Sequence, residues 1–284
     1  PAVVGLRVPR GMVHPRTVEV MHEVAGDGAL VRPRLVIEAE ENSEVTVVER
    51  FASPDGVRAL VLPVVEIRAA AAARVTYVAI NELGRDAWMI GHQGAVVDRD
   101  ATVRTFTVAL GGDYARVRAE VRLVGQGAEA QQTALYFADG SQMHDFRTLQ
   151  VHEAPRTRSD LLFKGAVKDR ARSVYTGLIR ITENGSKSEA FQTNRNLTLS
   201  QGAWAESVPN LEIETNDVKC SHASTVGPID EAQRFYLESR GVPPEVAERL
   251  VVLGFFDEVI DRLPAIGAVA SVRSKVGTKL GVLR

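Results

Sequence analysis

From residue 3 to about residue 217 the chain alternates apolar and polar positions with a period of two. The clearest runs are 35–39 (LVIEA), 45–48 (VTVV), 75–80 (VTYVAI), 103–108 (VRTFTV) and 117–123 (VRAEVRL). Alternation of this kind predicts half-buried strands. Gly, Asp, Asn and Pro fill the gaps, as turns require. No segment here has a sustained 3.6-residue apolar period, which argues against helices alternating with the strands and so against a doubly wound α/β sheet.

The strand openings repeat. Small-polar-apolar triplets occur at Ser43-Glu44-Val45, Ala73-Arg74-Val75, Ala101-Thr102-Val103 and Ala128-Glu129-Ala130, at intervals of 30, 28 and 27 residues. Ser188-Glu189-Ala190 and Ala203-Trp204-Ala205 follow, 15 residues apart. A strand-turn unit that recurs but cannot bury its own apolar face is the mark of a solenoid. Small residues at its corners let successive coils stack. The pattern favours a stacked-strand solenoid over residues 1–228, with an antiparallel sandwich as the alternative.

Beyond Pro228 the period changes. Residues 230–241 predict a helix, with Asp230 at its N-cap and Gly241 in the left-handed position after its last turn. Pro243-Pro244-Glu245 opens a second helix. Its residues Val246, Leu250, Leu253, Phe256 and Ile260 lie three or four apart and share one face, and Pro264 ends it. The tail adds a third, basic helix carrying Arg273, Lys275, Lys279 and Arg284. Such a hairpin needs a cover, either the end of the solenoid or another protein. Residues 229–284 therefore read as a helical domain behind a 1–228 β domain.

Composition narrows the function. The 284 residues carry 34 basic and 36 acidic side chains, and this balance lacks the basic excess of a duplex-binding domain. No apolar run approaches the roughly 18 residues of a membrane span. One cysteine excludes an internal disulfide and a self-contained four-thiolate centre. The start, Pro-Ala-Val-Val-Gly, is not a secretory leader, and a reducing cytoplasm is the expected compartment. No Gly-rich loop ends in Lys-Ser/Thr, so no ATP is expected on this chain.

Two clusters carry candidate chemistry. Cys220 and His222 form Cys-X-His. Both are borderline-to-soft metal ligands, and in a strand they point to one side. Lys219 is placed to lower the thiol pKa. The ordinary alternative is a small buried cysteine beside a hydrogen-bonded histidine. His144, Asp145, His152 and Glu153 form the second cluster, as metal ligands if a loop gathers them, or otherwise a polar turn lining the solenoid. His14, His22 and His92 are dispersed and read as surface or core residues. No pair of acids has the spacing of a polysaccharide-cleaving site, which leaves a β-helix lyase as the alternative from another class.

Residues 144–262 resemble the SufB/SufD family of iron–sulfur cluster assembly proteins. The likeness runs through Lys164-Gly165-Ala166-Val167, Ala171-Arg172-Ser173-Val174-Tyr175-Thr176-Gly177 and Gln192-Thr193-Asn194-Arg195-Asn196-Leu197-Thr198-Leu199-Ser200. It continues through Ser207-Val208-Pro209-Asn210-Leu211-Glu212-Ile213 and Asp217-Val218-Lys219-Cys220-Ser221-His222-Ala223-Ser224-Thr225-Val226-Gly227. It ends with Phe235-Tyr236-Leu237-Glu238-Ser239-Arg240-Gly241 and Gly254-Phe255-Phe256-Asp257-Glu258-Val259-Ile260. Ala223 after the histidine is closer to the SufD pattern, since SufB more often has an acid there.

The resemblance implies a right-handed parallel β-helix followed by a helical domain. It implies a non-catalytic scaffold in a complex with SufB and the ATPase SufC, and a transient iron–sulfur cluster at the interface with SufB. Cys220 and His222 take the positions of the family's functional Cys and His. Phe235, Tyr236, Leu250, Leu253, Phe256 and Ile260 fall in the helices that dock SufC. A SufB-like scaffold that holds a cluster as a homodimer is the second arrangement within the family. The helical N-terminal region usual in the family has no counterpart here, which implies a truncated or short form. Flavin binding is not read from the sequence.

Overall fold

The computed structural model describes residues 3–264 and 266–281. Among the described residues, eighteen strands and three helices follow one another in the order the two periods predict. One sheet contains β1 (Val3–Val8), β3 (Ala29–Val31), β4 (Arg34–Ala39), β6 (Ala59–Val61), β7 (Val64–Ala69), β9 (Ala87–Val97), β11 (Tyr114–Leu123), β13 (Met143–His152), β15 (Arg172–Ile181) and β17 (Trp204–Ile213). The other contains β2 (Val18–Glu23), β5 (Glu44–Ala52), β8 (Arg74–Glu82), β10 (Thr102–Ala109), β12 (Glu129–Ala138), β14 (Arg158–Val167), β16 (Glu189–Thr198) and β18 (Lys219–Gly227). The chain passes back and forth between the sheets. Every strand pairs in parallel with the strand one coil away. This is a two-sheet β-solenoid, and the sandwich alternative is excluded because no antiparallel pairing occurs among the named strands.

The repeated triplets are its corners. Glu44 registers on Arg74, Arg74 on Thr102, and Thr102 on Glu129. The small residues before them, Ser43, Ala73, Ala101 and Ala128, are buried inside the turn. The residue before each corner residue has positive φ: Asn42 58°, Ala72 59°, Asp100 57° and Gly127 74°. At each of these corners a left-handed residue turns the chain sharply, and the side chain that follows is small and buried. Arg156 and Lys187 continue the series before Thr157 and Ser188. Ala203-Trp204-Ala205 belongs to the other sheet, where Trp204 registers on Arg172. Its 15-residue interval is thus half a coil.

Inward side chains of the early coils are aliphatic: Leu35, Ile37, Val45, Val47, Val65, Ile67, Val75 and Val97 form one buried cluster. Later coils turn aromatic, with Tyr136, Phe146, Phe163 and Tyr175 in contact. The second sheet is apolar on its outer face too. Val78, Ile80, Phe106, Val108, Leu135, Phe137 and Leu162 point away from the interior and are still buried, because the helices cover them.

Three helices form this cover: α1 (Glu231–Glu238), α2 (Pro244–Ile260) and α3 (Ile266–Lys279). Asp230 caps α1 by accepting from the Ala232 amide at 2.8 Å. Pro243 and Pro244 open α2, with Glu245 in its first turn. The helical hairpin thus packs on the side of the solenoid, not on its end. The predicted stripe on α2 is also rotated. Val252, Phe256, Val259 and Ile260 face the sheet, whereas Val246 and Leu250 are exposed. Residues 250–256 are apolar nearly all round the helix, so periodicity alone does not choose a face. The apolar outer sheet does.

Charged contacts fix the helices. Lys164 on β14 donates to the Phe255 carbonyl at 2.9 Å and pairs with Glu258. Lys275 meets Glu82 at 2.8 Å, and Lys279 bonds Asp139 and Gln142. Lys275 and Lys279 are thereby matched to solenoid carboxylates, and Arg273 to Asp257 and Asp261 at the end of α2. Arg284 lies outside the described residues.

Candidate functional site

The solenoid ends on an uncovered coil. β17 pairs only with β15, and β18 only with β16, so each presents a free edge among the described residues. Trp204, Val208, Leu211, Ile213 and Val226 are exposed there. Unpaired parallel edges with apolar side chains are surfaces that pair with another chain.

Cys220 and His222 sit on this last strand. Cys220 registers on Ala190 and His222 on Gln192, both inward positions. The two side chains therefore point to one side, at the mouth of the solenoid, as their spacing predicts. Cys220 is half-buried against Ile179, Ile181, Ala190 and Val218. His222 is exposed. Burial pushes the thiol pKa up. Lys219 does not lower it, contrary to expectation: its ammonium is taken by Glu189 at 2.7 Å, and its side chain points the other way. Burial thus disfavours the thiolate, and a metal ion bound to this sulfur would displace its proton. Among the described residues no group of three or more His, Cys, Asp or Glu could hold a metal ion.

The second cluster comes apart. His144, Asp145 and His152 lie on a strand, β13, and Glu153 follows its end. His144 and His152 both point inward and are fully buried, eight positions apart. Burial pushes His144 down to about 3 and His152 to about 4. His152 bonds Thr157 Oγ1 at 2.7 Å and Ser159 Oγ at 2.8 Å. Asp145 faces outward between Arg116 and Arg147. Glu153 accepts twice from Arg122. These residues do not converge on a metal.

Below the mouth the interior is polar. Tyr136 donates to Asn196 Oδ1 at 2.6 Å and accepts from Asn194 at 2.9 Å. Asn196 donates to Asn194 at 2.7 Å. Tyr175 and Thr148 share a 2.9 Å hydrogen bond. Gln192 is buried above them, and neither atom of its carboxamide has a partner. The motif Gln192-Thr193-Asn194-Arg195-Asn196 held the signal for this. Its inward positions, normally apolar in a strand, are all carboxamides. Near the other end, His22, Glu49 and Tyr77 form a hydrogen-bonded chain of 2.8 and 2.5 Å, so His22 has a core role. His14 meets the Arg16 carbonyl at the surface.

The helix residues expected to dock a partner divide. Phe235, Tyr236 and Leu250 are exposed. Leu253 is half-buried, and Phe256 and Ile260 are sealed against the sheet. A groove of about 1090 Å³ runs between α1, α2 and the outer face of β16, lined by Arg195, Leu197, Tyr236, Leu237, Leu250 and Phe255. No described helix is long and apolar enough to cross a membrane.

The family model for the SufBD core domain of the SUF system of FeS cluster assembly matches residues 22–255. A SufBD family protein of Mycobacterium leprae is 41% identical over 220 residues, covering 75% of this chain and 55% of its own length. SufD of Bacillus subtilis is 30% identical over 278 residues, 97% of this chain and 63% of its own. SufD of Escherichia coli is 29% identical over 283 residues, 98% of this chain and 67% of its own. The chain thus spans little more than half to two thirds of the length of these relatives. The parallel solenoid, its three helices and these matches agree: the chain belongs to the SufB/SufD family and is most like SufD.

Proposed function

We propose that the chain is a non-catalytic scaffold in iron–sulfur cluster assembly, a SufD-like subunit that contributes Cys220 and His222 to a site shared with SufB. The observation that carries this reading is the pair itself: two soft donors on one side of an uncovered last strand, with no third metal-ligating group beside them among the described residues. Two donors are too few to retain a cluster, and a partner's strand on the free edge of β18 would bring the rest. A transient cluster is the cargo of this site.

The helices from residue 229 onward form the second functional unit, beside the 1–228 β-helix core. Exposed Phe235, Tyr236 and Leu250 and the adjoining groove fit a docking surface for the SufC ATPase. Phe256 and Ile260 support that surface from behind, and Leu253 borders it. ATP hydrolysis in SufC would shift the two scaffolds and expose the shared site.

Assembly assays test the reading. His222→Ala should lower cluster formation while SufB and SufC still co-purify. Unchanged cluster formation would remove the ligand role, and loss of the complex would make the residue structural.

A further inference from the structure

We propose that Gln192 is a positioning residue of the Cys220/His222 site: its carboxamide oxygen accepts the imidazole N–H of His222 when the other ring nitrogen binds metal. This inference rests on the reading of Cys220 and His222 as ligands.

A histidine that binds metal through one nitrogen almost always donates its other N–H to an acceptor, which fixes the tautomer and the ring plane. Among the described residues His222 has no such partner, and the residue in register beneath it is Gln192. Strands in a sheet lie about 4.8 Å apart, so an imidazole and a carboxamide stacked on facing inward positions are within hydrogen-bonding reach. Gln192 is 1% exposed, with both amide atoms unpartnered. Buried carboxamides are normally bonded, and an orphan of this kind requires a reason.

Its neighbours leave it free while satisfying themselves. Asn194 and Asn196 are engaged with Tyr136, and Tyr175 with Thr148. Ser207 Oγ and both carboxamide atoms of Gln150 also lack partners, but these residues register on Tyr175 and Ile179 and not on His222. Gly177 makes the room. A Cβ there would lie 2.5 Å from Gln192 Oε1 and 2.6 Å from Nε2. Gly177 has no left-handed backbone to explain it, so the absent side chain is a matter of space for this carboxamide and for the Tyr175 hydroxyl, also 2.5 Å from that Cβ position.

The test uses the full chain with Cd²⁺ alone and histidine ¹⁵N spectra. In the parent protein Cd²⁺ should bind through Cys220 and His222, with His222 held in a single tautomer. Gln192→Leu should melt no lower than the parent, bind Cd²⁺ roughly 10- to 100-fold more weakly and show mixed His222 tautomers. Gln192→Met, unbranched and close in volume, should do the same and serves if the leucine variant fails to fold. Folded variants that keep parental affinity and tautomer overturn the inference, while loss of Cd²⁺ binding in Cys220→Ser leaves the ligand pair standing. Parental Cd²⁺ binding by Cys220→Ser overturns the ligand pair and this inference with it.

Discussion

The Lys164 ammonium donates to the backbone carbonyl of Phe255, 2.9 Å away and 91 residues later in the chain. It also pairs with Glu258 and lies over the Phe255 ring at 4.6 Å. Lys164 is 4% exposed, on the outer face of a sheet. The end of α2 supplies the partners of its ammonium. Lys164→Met removes the charge and keeps the volume. It should cost about 1–3 kcal/mol, the scale of a lost hydrogen bond to a charged group, read from urea unfolding. Parental stability would mean that the contact does not hold the helix.

Gly165, the next residue, faces inward. A Cβ there would lie 1.9 Å from the Tyr136 ring. Gly165→Ala must displace a fully buried tyrosine that is tied to Asn194 and Asn196. Overpacking of this kind costs roughly 1–3 kcal/mol, and the broken polar network adds to it. Tyr136→Leu in the same chain should restore part of the loss. Additive losses in the double variant would argue against the steric account.

Acid should weaken the fold from about pH 6.5 downward. An unfolded histidine takes up its proton near pH 6.5, whereas burial holds His152 to about 4 and His144 to about 3. Between those limits the unfolded chain binds more protons, so stability falls as pH falls, by about 1.4 kcal/mol per pH unit for each histidine. Asp139 is pushed up by burial but pulled down further by Lys279, and Glu258 is lowered by its hydrogen bond from Lys164. Those carboxylates act only below about pH 4.5. Urea midpoints between pH 7 and 5 therefore isolate the histidines. His152→Gln should remove about half of the slope, and an unchanged slope would contradict the assignment.

The docking surface and its support should separate by mutation. Leu250→Asp places a charge on the exposed side of α2 and should leave the melting temperature near that of the parent while abolishing SufC binding. Phe256→Asp buries an unpaired carboxylate against Phe137 and should detach or unfold the helices. SufC capture by the folded Leu250→Asp protein, together with a stable Phe256→Asp protein, would reverse the assignment of faces.

The two periods in the sequence located the strands and the helices that follow them. The small-residue triplets marked the corners of one sheet, where the residue after each left-handed position, Ser43, Ala73, Ala101 and Ala128, is small and buried. Less legible was the covering of one sheet. Its sign was present in runs such as Leu135-Tyr136-Phe137, apolar on both faces, but their partner lies more than a hundred residues away on α2. That Cys220 and His222 point to one side was legible, since they share parity on one strand. Gln192 was not, because a polar residue at an inward position gains meaning only when the coils are in register. The pairing of Lys219 with Glu189 is of the same kind, set by strand register and not by sequence proximity.

Anaerobic reconstitution of the chain with iron and sulfide, alone and with SufB, tests the shared site most directly. The account predicts no stable thiolate-to-iron absorbance on the chain alone. It predicts a cluster in the presence of SufB that is diminished in Cys220→Ser and His222→Ala. A stable cluster on the isolated chain, or a SufB-dependent cluster indifferent to both substitutions, would contradict it.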